Sequence, residues 1–357
     1  MRGDPGGAAA VNAAPAAVLH VVEAWQGGVQ TIVRDYARAV PEMRHLLLMG
    51  DRDGYQVTDA EEDLFDGAWR MPPGHFARVR ETGRLYRYQR PDVVHAHSSL
   101  AGGYVRLALS VPRHRIVYTP HCYAMERTDL APYGQAAVWT AERLLAWRTG
   151  IVAGSSPREV ELAHALRKRQ PTVYVPNVVR PQKSGPDSSN DGLPPRSIAV
   201  VGRLCTQKDP GFFADAAAEG RRLMPSSNWF WLGDGEPHHR KRLEQAGVTV
   251  TGWLDHHDIQ HMLAQASVYA HCAQWEGAPM TLLEAVGLGR PVVARRIPAL
   301  ESLGVPDLVD TPQELAATAV ALLTHGPAAH TDETQARLYA EHSPERQRTT
   351  LRQAYGR

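Results

Sequence analysis

Two stretches in the second half of the sequence carry side chains suited to a ligand that holds both phosphate and hydroxyl groups. In the first, Arg203 and Lys208 follow an apolar run, Ser197 to Val201, and precede a predicted helix. An arginine fork and a lysine point charge close to a helix N-terminus are suitable partners for a diphosphate. On their own, the two cations would equally fit a surface loop.

The second stretch, residues 275–294, reads as a loop, a short helix, a tight turn and a buried strand. Glu276 and Glu284 flank the predicted helix start, with seven residues between them. Free N–H groups at a helix N-terminus favour an anion, and carboxylates beside them accept hydrogen bonds from hydroxyls. Combined with the two cations, they predict a site for a sugar nucleotide. An isolated pair would be a loop carboxylate and a solvated helix residue.

In the first half, a glycine pair and three polar residues occupy the ends of predicted strands. Gly27 and Gly28 separate an apolar strand from a helical pattern, which lets backbone N–H groups approach a phosphate but is also a common tight turn. His97 and Ser98 close one strand, and His121 closes the next. Because ligands of open α/β sheets gather at the carboxyl ends of strands, we expect all three in a cleft.

The elements that must position these residues alternate between strand and helix along the whole chain, which predicts parallel sheets. Residues 181–195 are rich in Pro, Gly, Ser, Asp and Asn and read as a linker. We therefore expect a first domain at 16–180, a second at 196–342 and a terminal helix at 343–357. Residues 1–15 lack an apolar core and read as a loose tail.

The bulk composition fits an ordinary globular protein of about two domains, with 357 residues, 43% hydrophobic and 22% charged. A net charge of +1 gives no argument for nucleic acid. Three widely spaced cysteines without metal spacing point to a reducing cytoplasm. No apolar run approaches the ~18 residues that a membrane span needs.

One segment of the first half, Arg78 to Arg90, is strongly basic. It holds five arginines, one acid and the interleaved Leu85, Tyr86 and Tyr88. As a helix it would suit anionic lipid head groups at the inner face of a membrane, or an anionic acceptor. The alternative is a solvated helix that covers the sheet.

These motifs, in this order, resemble those of glycosyltransferase family 4, whose members are retaining enzymes with the GT-B fold. Glu276 and Glu284 match its E-x7-E signature, and Gly202-Arg203 with Lys208 match its G-R-x4-K segment. The resemblance extends from Val18 to the C-terminus. It implies two Rossmann-like α/β/α domains that face each other across a cleft, with the terminal helix crossing back to the first.

The resemblance also implies roles for single residues. His121, Glu276, Arg203 and Lys208 would act at the reacting centre, and His97 and Ser98 would lie near the acceptor. The implied donor-binding residues are Gly27, Gly28, Arg203, Lys208, Gly233, Gly235, Leu254, Glu276, Ala278, Pro279, Met280, Thr281, Leu282 and Glu284. Arg203 and Lys208 would replace a metal ion, and no cofactor is expected beside the donor.

The expected activity is the transfer of a hexosyl group from a UDP- or GDP-sugar to a glycan or lipid-linked acceptor, in cell-surface polysaccharide synthesis. A soluble acceptor, a nucleotide-sugar epimerase and a non-catalytic sugar-nucleotide binding protein remain as alternatives. A phosphorylase would need a pyridoxal-binding lysine motif, and a dehydrogenase would need G-x-G-x-x-G; the sequence has neither.

Overall fold

The computed structural model describes residues 16–50, 63–179, 192–327 and 329–356. Within them the chain forms two parallel β-sheets, one from each half of the sequence, with helices packed around both. This confirms the predicted α/β class. The expected tail, 1–15, and most of the expected linker, 181–195, lie outside the described residues.

The first sheet has seven strands in the order β3-β2-β1-β4-β5-β6-β7, and every pair is parallel. Its central strands are buried along their whole length, as expected when helices cover both faces of a parallel sheet. The strands are β1 (Ala17–Val22), β2 (Arg44–Met49), β3 (Gly67–Arg70), β4 (Val93–His97), β5 (Ile116–Thr119), β6 (Ile151–Gly154) and β7 (Thr172–Tyr174). The helices among them are α1 (Gly27–Ala39), α2 (His75–Gln89), α3 (Ser99–Leu107), α4 (Pro132–Leu145) and α5 (Pro157–Leu166).

The second sheet has six strands in the order β10-β9-β8-β11-β12-β13, again parallel throughout. The strands are β8 (Ser197–Val201), β9 (Asn228–Leu232), β10 (Thr249–Val250), β11 (Val268–His271), β12 (Val292–Arg295) and β13 (Asp307–Val309). The remaining helices are α6 (Pro210–Leu223), α7 (Pro237–Gln245), α8 (His256–Gln265), α9 (Met280–Gly287), α10 (Pro298–Leu303), α11 (Pro312–His325), α12 (Ala329–Glu341) and α13 (Pro344–Ala354).

Several helices begin with a side-chain cap that satisfies one of the free N–H groups of the first turn. Thr311 and Glu314 form a reciprocal capping box at the start of α11. Asp209 accepts a hydrogen bond from the backbone of Phe212 at the start of α6. Helices α1 and α9 are among those that have neither a side-chain cap nor an acidic residue in the first turn.

The last helix packs against the elements of the first sheet. Leu351 is fully buried there, and the Arg348 guanidinium donates to the carbonyl of Ala39 at 2.9 Å. The Tyr355 hydroxyl, just beyond α13, lies 2.9 Å from Nδ1 of His95. Helix α13 and the residue after it therefore complete the core around the first sheet.

A second contact between the halves lies where β7 ends and the loop before α9 begins. The Asn177 side chain donates to the carbonyl of Ala278 at 2.9 Å, and the backbone carbonyl of Asn177 lies 2.7 Å from Nδ1 of His342. Beside it, a β-carbon added to Gly277 would lie 2.7 Å from the backbone nitrogen of Cys122 and 2.8 Å from Oε1 of Glu159. Only glycine allows the two halves to approach this closely.

One local expectation from the sequence differs from the structure. Gly27 does not belong to a loop before a helix, because α1 starts at this residue, which holds a φ of 56°. In the second half, β10 is limited to Thr249–Val250, and Gly252 then turns the chain with a φ of 82°. Among the described helices, none is both long and apolar enough to cross a membrane.

The close approach at Gly277 predicts the effect of one methyl group. Gly277→Ala should lower the free energy of unfolding by about 1–3 kcal/mol, because the new β-carbon overpacks backbone that cannot yield cheaply. Gly103→Ala is the matched control, since a β-carbon there meets nothing within 4 Å. Urea titration of both variants measures the difference, and equal stability would contradict the close approach.

Candidate active site

The loops that follow β8 and β11 hold an ion pair between Lys208 and Glu276. Their side chains are only 21% and 12% exposed. Lys208 ends a short 3-10 turn and lies over Gly202, where a β-carbon would meet its methylenes at 3.3 Å. Gln207 fixes the spacing between the two loops, because its side chain donates to the carbonyl of Trp275 at 3.0 Å. A cation and a carboxylate are thus held beside each other at the carboxyl edge of the second sheet.

Arg203 lies on the same loop but differs from Lys208 in its exposure and its contacts. It is exposed, and its guanidinium makes no ion pair or hydrogen bond within the part of the chain that the structure describes. A guanidinium that is held by nothing else is available to an anionic ligand as a two-pronged donor.

Two of the uncapped helices, α1 and α9, meet across the cleft. A β-carbon on Gly28, in the first turn of α1, would lie 3.8 Å from Cγ of Met280, the first residue of α9. The free N–H groups and the positive end of the helix dipole therefore come together from both halves of the chain. Two such ends without an acidic residue in the first turn form a suitable site for phosphate.

The backbone from Ala278 to Leu282 was expected to supply donors along this edge. Pro279 has no N–H, so that residue cannot donate, and α9 starts at the next residue. The Thr281 hydroxyl lies 2.8 Å from that of Tyr269, and Leu282 is fully buried in the second core. Donation to a ligand is thus left to Ala278 and to the first residues of the helix.

Glu284 lies one turn into α9 and is mostly enclosed. Burial and the neighbouring Asp35 carboxylate raise its pKa to about 7, while a hydrogen bond with Gln260 opposes the shift. Such a carboxyl exchanges its proton near neutral pH, so a ligand whose hydroxyls donate to it would favour the ionised form.

His121 follows β5 in a turn whose geometry is unusual for residues with side chains. His121 and Cys122 have φ values of 50° and 81°, and both lie in the left-handed region. Glu159, fully buried at the start of α5, holds this turn: Oε1 accepts from the Cys122 nitrogen at 2.6 Å, and Oε2 accepts from the Ser155 nitrogen at 2.7 Å. Burial raises the pKa of Glu159 to about 7.

The His121 ring is half-buried and neutral. Burial lowers its pKa to about 3. Nε2 lies 3.1 Å from Nδ1 of His97, and Nδ1 has no hydrogen-bond partner among the described residues. The adjacent thiol of Cys122 has a pKa well above its ordinary value because of burial and nearby carboxylates, so it is no thiolate nucleophile at neutral pH.

One of the expected cleft residues, His97, lies elsewhere, while a place in the cleft for Ser98 stays a prediction. His97 is fully buried, with both ring nitrogens in hydrogen bonds to other histidines, and therefore does not face a ligand directly. Ser98 precedes α3 with a φ of 78°, and its backbone donates to the carbonyl of Thr119 at 2.9 Å. The strand-end pattern correctly located the edge of the sheet but could not tell a residue in the cleft from one behind it.

The loop after β9 contacts the loop after β8. A β-carbon on Gly233 would lie 2.3 Å from the carbonyl oxygen of Gly202, and one on Gly235 would lie 2.4 Å from that of Leu204. These glycines let the two loops pack together. Leu254 is half-buried against the second core.

Glu159 and Asn177 are the positioning residues that the sequence pattern did not reveal. The sequence marks Glu159 only as a first-turn glutamate of a helix and Asn177 only as the end of a strand. Their partners, Cys122 and Ala278, are 37 and 101 residues away. No local spacing encodes such contacts.

Groups of histidines and carboxylates that could hold a metal ion occur at three places in the described residues. The buried group is His20, His95 and His97, and the two largely exposed ones are Glu236, His238, His239 and Asp255, His257, Asp258. None of them includes Lys208 or Glu276.

Comparison with known proteins places each half of the chain. Residues 27–178 match the glycosyl transferase 4-like domain, and residues 195–325 match the glycosyl transferases group 1. A Klebsiella pneumoniae protein described as an uncharacterized 41.2 kDa protein in the cps region is 21% identical over 79% of this chain and 82% of its own length.

The second relative has a described activity. The Escherichia coli UDP-Gal:alpha-D-GlcNAc-diphosphoundecaprenol alpha-1,3-galactosyltransferase is 26% identical, and the alignment covers 60% of each chain. This chain therefore spans less than two thirds of that relative.

Solved structures share the fold over nearly the whole chain. Anabaena HepE in complex with UDP and glucose has a TM-score of 0.74 at 17% identity, covering 96% of this chain and 98% of its own. The sucrose-phosphate synthase of Thermosynechococcus elongatus has a TM-score of 0.78 at 17% identity, with the same coverage. Together with the two domain matches, these likenesses show that the chain belongs to glycosyltransferase family 4, whose members have the GT-B fold. This is the family that the Glu276 and Glu284 motif resembles.

Proposed function

We propose that this glycosyltransferase moves a hexosyl group from a UDP-sugar to a glycan or lipid-linked acceptor, with retention of anomeric configuration and without a metal ion. The observation that carries the proposal is that the loop of Arg203 and Lys208 meets, through Glu276, the segment that leads into α9, whose uncapped N-terminus contacts that of α1. Within the described residues, an unpaired Arg203, Lys208 with Glu276 as its one acidic partner, and two helix N-termini supply the positive potential that a diphosphate leaving group requires.

Two likenesses support uracil as the base of the donor. HepE was solved with UDP, and the Escherichia coli relative is described as acting on UDP-Gal. The same relative acts on a diphosphoundecaprenol acceptor, which supports a lipid-linked acceptor in polysaccharide assembly for this chain.

Each functional side chain then has one task. Arg203 and Lys208 stabilise the charge that grows on the departing diphosphate, the kind of interaction that contributes most to such transfers. Glu276, now paired with Lys208, accepts hydrogen bonds from sugar hydroxyls, and Glu284 accepts them from the ribose. His121 accepts one from the donor sugar. The departing phosphate receives the proton of the acceptor hydroxyl, so no protein nucleophile is needed.

A thermal-shift screen tests the donor site. Purified protein is heated with UDP, GDP, ADP or dTDP, each in EDTA and in Mg²⁺. We expect UDP alone to raise the midpoint, equally with and without metal, by about 2.7 kcal/mol of stability at a hundredfold excess over Kd. Arg203→Ala should abolish the shift, whereas Arg222→Ala, on the exposed side of α6, should keep it. A folded protein that responds to none of the nucleotides would refute the proposal.

The raised pKa of Glu284 predicts a pH-dependent affinity. Below about pH 7 the free enzyme holds this carboxyl protonated, so binding hydroxyl donors must first release a proton. We expect the affinity for UDP-glucose to rise about tenfold between pH 5.5 and 8. UDP-glucose is the right probe because its phosphates are diesters and, unlike a terminal phosphate, do not titrate near pH 6.

Calorimetry at several pH values measures this slope, and Glu284→Gln provides the control. The amide cannot ionise, so the affinity of this variant for UDP-glucose should be lower than that of the wild type at neutral pH. It should not change as the pH falls below neutral. Glu159, whose pKa is also about 7, titrates in both proteins. A variant that keeps the wild-type slope would show that another group is responsible.

The acceptor side includes a basic surface on α2, here called the arginine groove. Arg80, Arg84 and Arg87 line it on one side and Leu107 and Leu109 on the other. The two leucines are 55% and 82% exposed. Exposed cations beside exposed apolar side chains suit the head groups and upper acyl region of an anionic bilayer, and we propose that this groove docks there.

Not all of the basic segment takes part. The guanidinium of Arg78 is turned inward, where it donates to the carbonyl of Pro72 at 3.1 Å and pairs with Glu23 at 3.4 Å. Arg84 is paired with Glu81 at 2.6 Å. Arg80 and Arg87 are exposed and carry no ion pair within the described residues.

Substituting all three groove arginines tests the membrane contact. Because each basic residue near an anionic surface contributes about 1 kcal/mol, glutamine at Arg80, Arg84 and Arg87 should lower partition onto vesicles about a hundredfold. Cosedimentation with vesicles of phosphatidylglycerol and phosphatidylethanolamine measures the partition.

The control replaces Arg221, Arg222 and Lys241, three exposed cations of the second half, with glutamine. It removes the same charge and should leave vesicle binding nearly unchanged. Equal losses in both triple variants would mean that net charge, and not the groove, governs binding. Wild-type protein that stays in the supernatant would exclude the contact.

A further inference from the structure

Four histidines form a continuous row across the first sheet. His45, His20 and His97 lie on the neighbouring strands β2, β1 and β4, and His121 follows β5, the next strand in the sheet. Successive rings have centroids 5.3 or 5.4 Å apart, and the three rings on strands are buried. The row leads from the interior of the first half to the residue that faces Gly277.

Each ring is hydrogen-bonded to the next through one nitrogen of each type. Nδ1 of His45 lies 3.1 Å from Nε2 of His20, Nδ1 of His20 lies 3.1 Å from Nε2 of His97, and Nδ1 of His97 lies 3.1 Å from Nε2 of His121. The far end is closed by the backbone, because Nε2 of His45 lies 3.1 Å from the carbonyl oxygen of Val40.

The carbonyl fixes the direction of every bond in the row. A carbonyl oxygen only accepts, so the hydrogen of His45 must be on Nε2. A neutral imidazole has one N–H, which leaves Nδ1 of His45 to accept from Nε2–H of His20, and the same choice follows ring by ring. Burial lowers the pKa of all four rings, which keeps them neutral. His121 therefore ends the row as the Nε2–H tautomer, with a lone pair on Nδ1.

The fifth histidine nearby does not interrupt the row. The Thr119 hydroxyl donates to the carbonyl of Ala153 at 2.7 Å, so it accepts from Nε2–H of His95 at 2.8 Å. Nδ1 of His95 then accepts from the Tyr355 hydroxyl. The ring nitrogens of His20, His95 and His97 are thus all engaged in hydrogen bonds, and none has a lone pair left for a metal ion.

We propose that His45, His20 and His97 are positioning residues that fix the tautomer of His121 and so present its Nδ1 lone pair to a hydroxyl of the bound sugar nucleotide. The functional half of this statement rests on the proposed donor role of His121. Nδ1 of His121 is buried without a partner among the described residues, as expected of an acceptor reserved for a ligand. In the opposite tautomer Nδ1 would carry the hydrogen and could not accept.

The tautomers of the row can be freed by a substitution at His45, the ring farthest from the ligand. His45→Phe keeps an aromatic ring but removes both nitrogens, so the carbonyl of Val40 no longer sets the direction. His45→Gln offers an amide N–H to that carbonyl and an amide oxygen to Nε2–H of His20, which preserves the direction. The matched control is His164→Phe, a ring bonded to Thr172 outside the row.

Nitrogen-15 NMR of histidine-labelled protein without ligand reads the tautomer directly, with the His121 signals assigned by their absence in His121→Ala. We expect only the Nε2–H form of His121 in wild type, His45→Gln and His164→Phe, and a mixture of both forms in His45→Phe. The affinity for UDP-glucose should fall in His45→Phe in proportion to the Nε2–H fraction that remains, about twofold for an equal mixture, and hold in the other two variants.

The outcomes separate the claim that the tautomer of His121 is fixed from the claim that its lone pair binds the donor sugar. An Nδ1–H form of His121 in wild type, which needs no variant to fold, overturns the proposal, as does a pure Nε2–H form in His45→Phe. Expected spectra with an unchanged affinity in His45→Phe overturn the assignment of the lone pair to the donor sugar. If the spectra are as expected but wild type binds no sugar nucleotide, the proposed function fails while the fixed tautomer stands.

Discussion

A contact too close for a β-carbon joins the two halves of this molecule. Gly277 belongs to the loop that carries Glu276, and it lies against the turn of His121 and Cys122. The same turn is fixed from behind by Glu159. Since each half is a parallel sheet with its polar groups at the carboxyl edges, this contact brings two separate edges into one cleft.

The electrostatics of the cleft follow from what the helices lack. Some helices of the fold begin with an Asp, Ser or Thr cap, but α1 and α9 are among those that do not, and their N-terminal turns lie close together. Lys208 is neutralised by Glu276, and Arg203 is not neutralised by any described residue. A diphosphate entering the cleft would meet Arg203 and two helix ends directly and would compete with Glu276 for Lys208. In the proposed mechanism, that competition would free the Glu276 carboxylate for sugar hydroxyls.

The sequence predicted the parts of this site that depend on local spacing. Arg203 and Lys208, and Glu276 and Glu284, belong to single loop–helix segments, so their relative placement is a property of a short piece of chain. The tautomer of His121 depends instead on His97, His20 and His45, whose contacts span 24, 77 and 25 residues. A strand-end histidine pattern could place His97 near the edge but could not show that it lies behind His121. Glu159 and Asn177 escaped for the same reason.

The central claim is that residues of both halves bind one sugar nucleotide, and paired titrations test it most directly. UDP and UDP-glucose are titrated in EDTA into wild type, Lys208→Ala and His121→Ala. Lys208→Ala should weaken both ligands, because both carry the diphosphate. His121→Ala should weaken UDP-glucose about tenfold and leave UDP unchanged, since only the former carries the hexose. If His121→Ala leaves the affinity for UDP-glucose unchanged, the two halves do not share the donor and the account is contradicted.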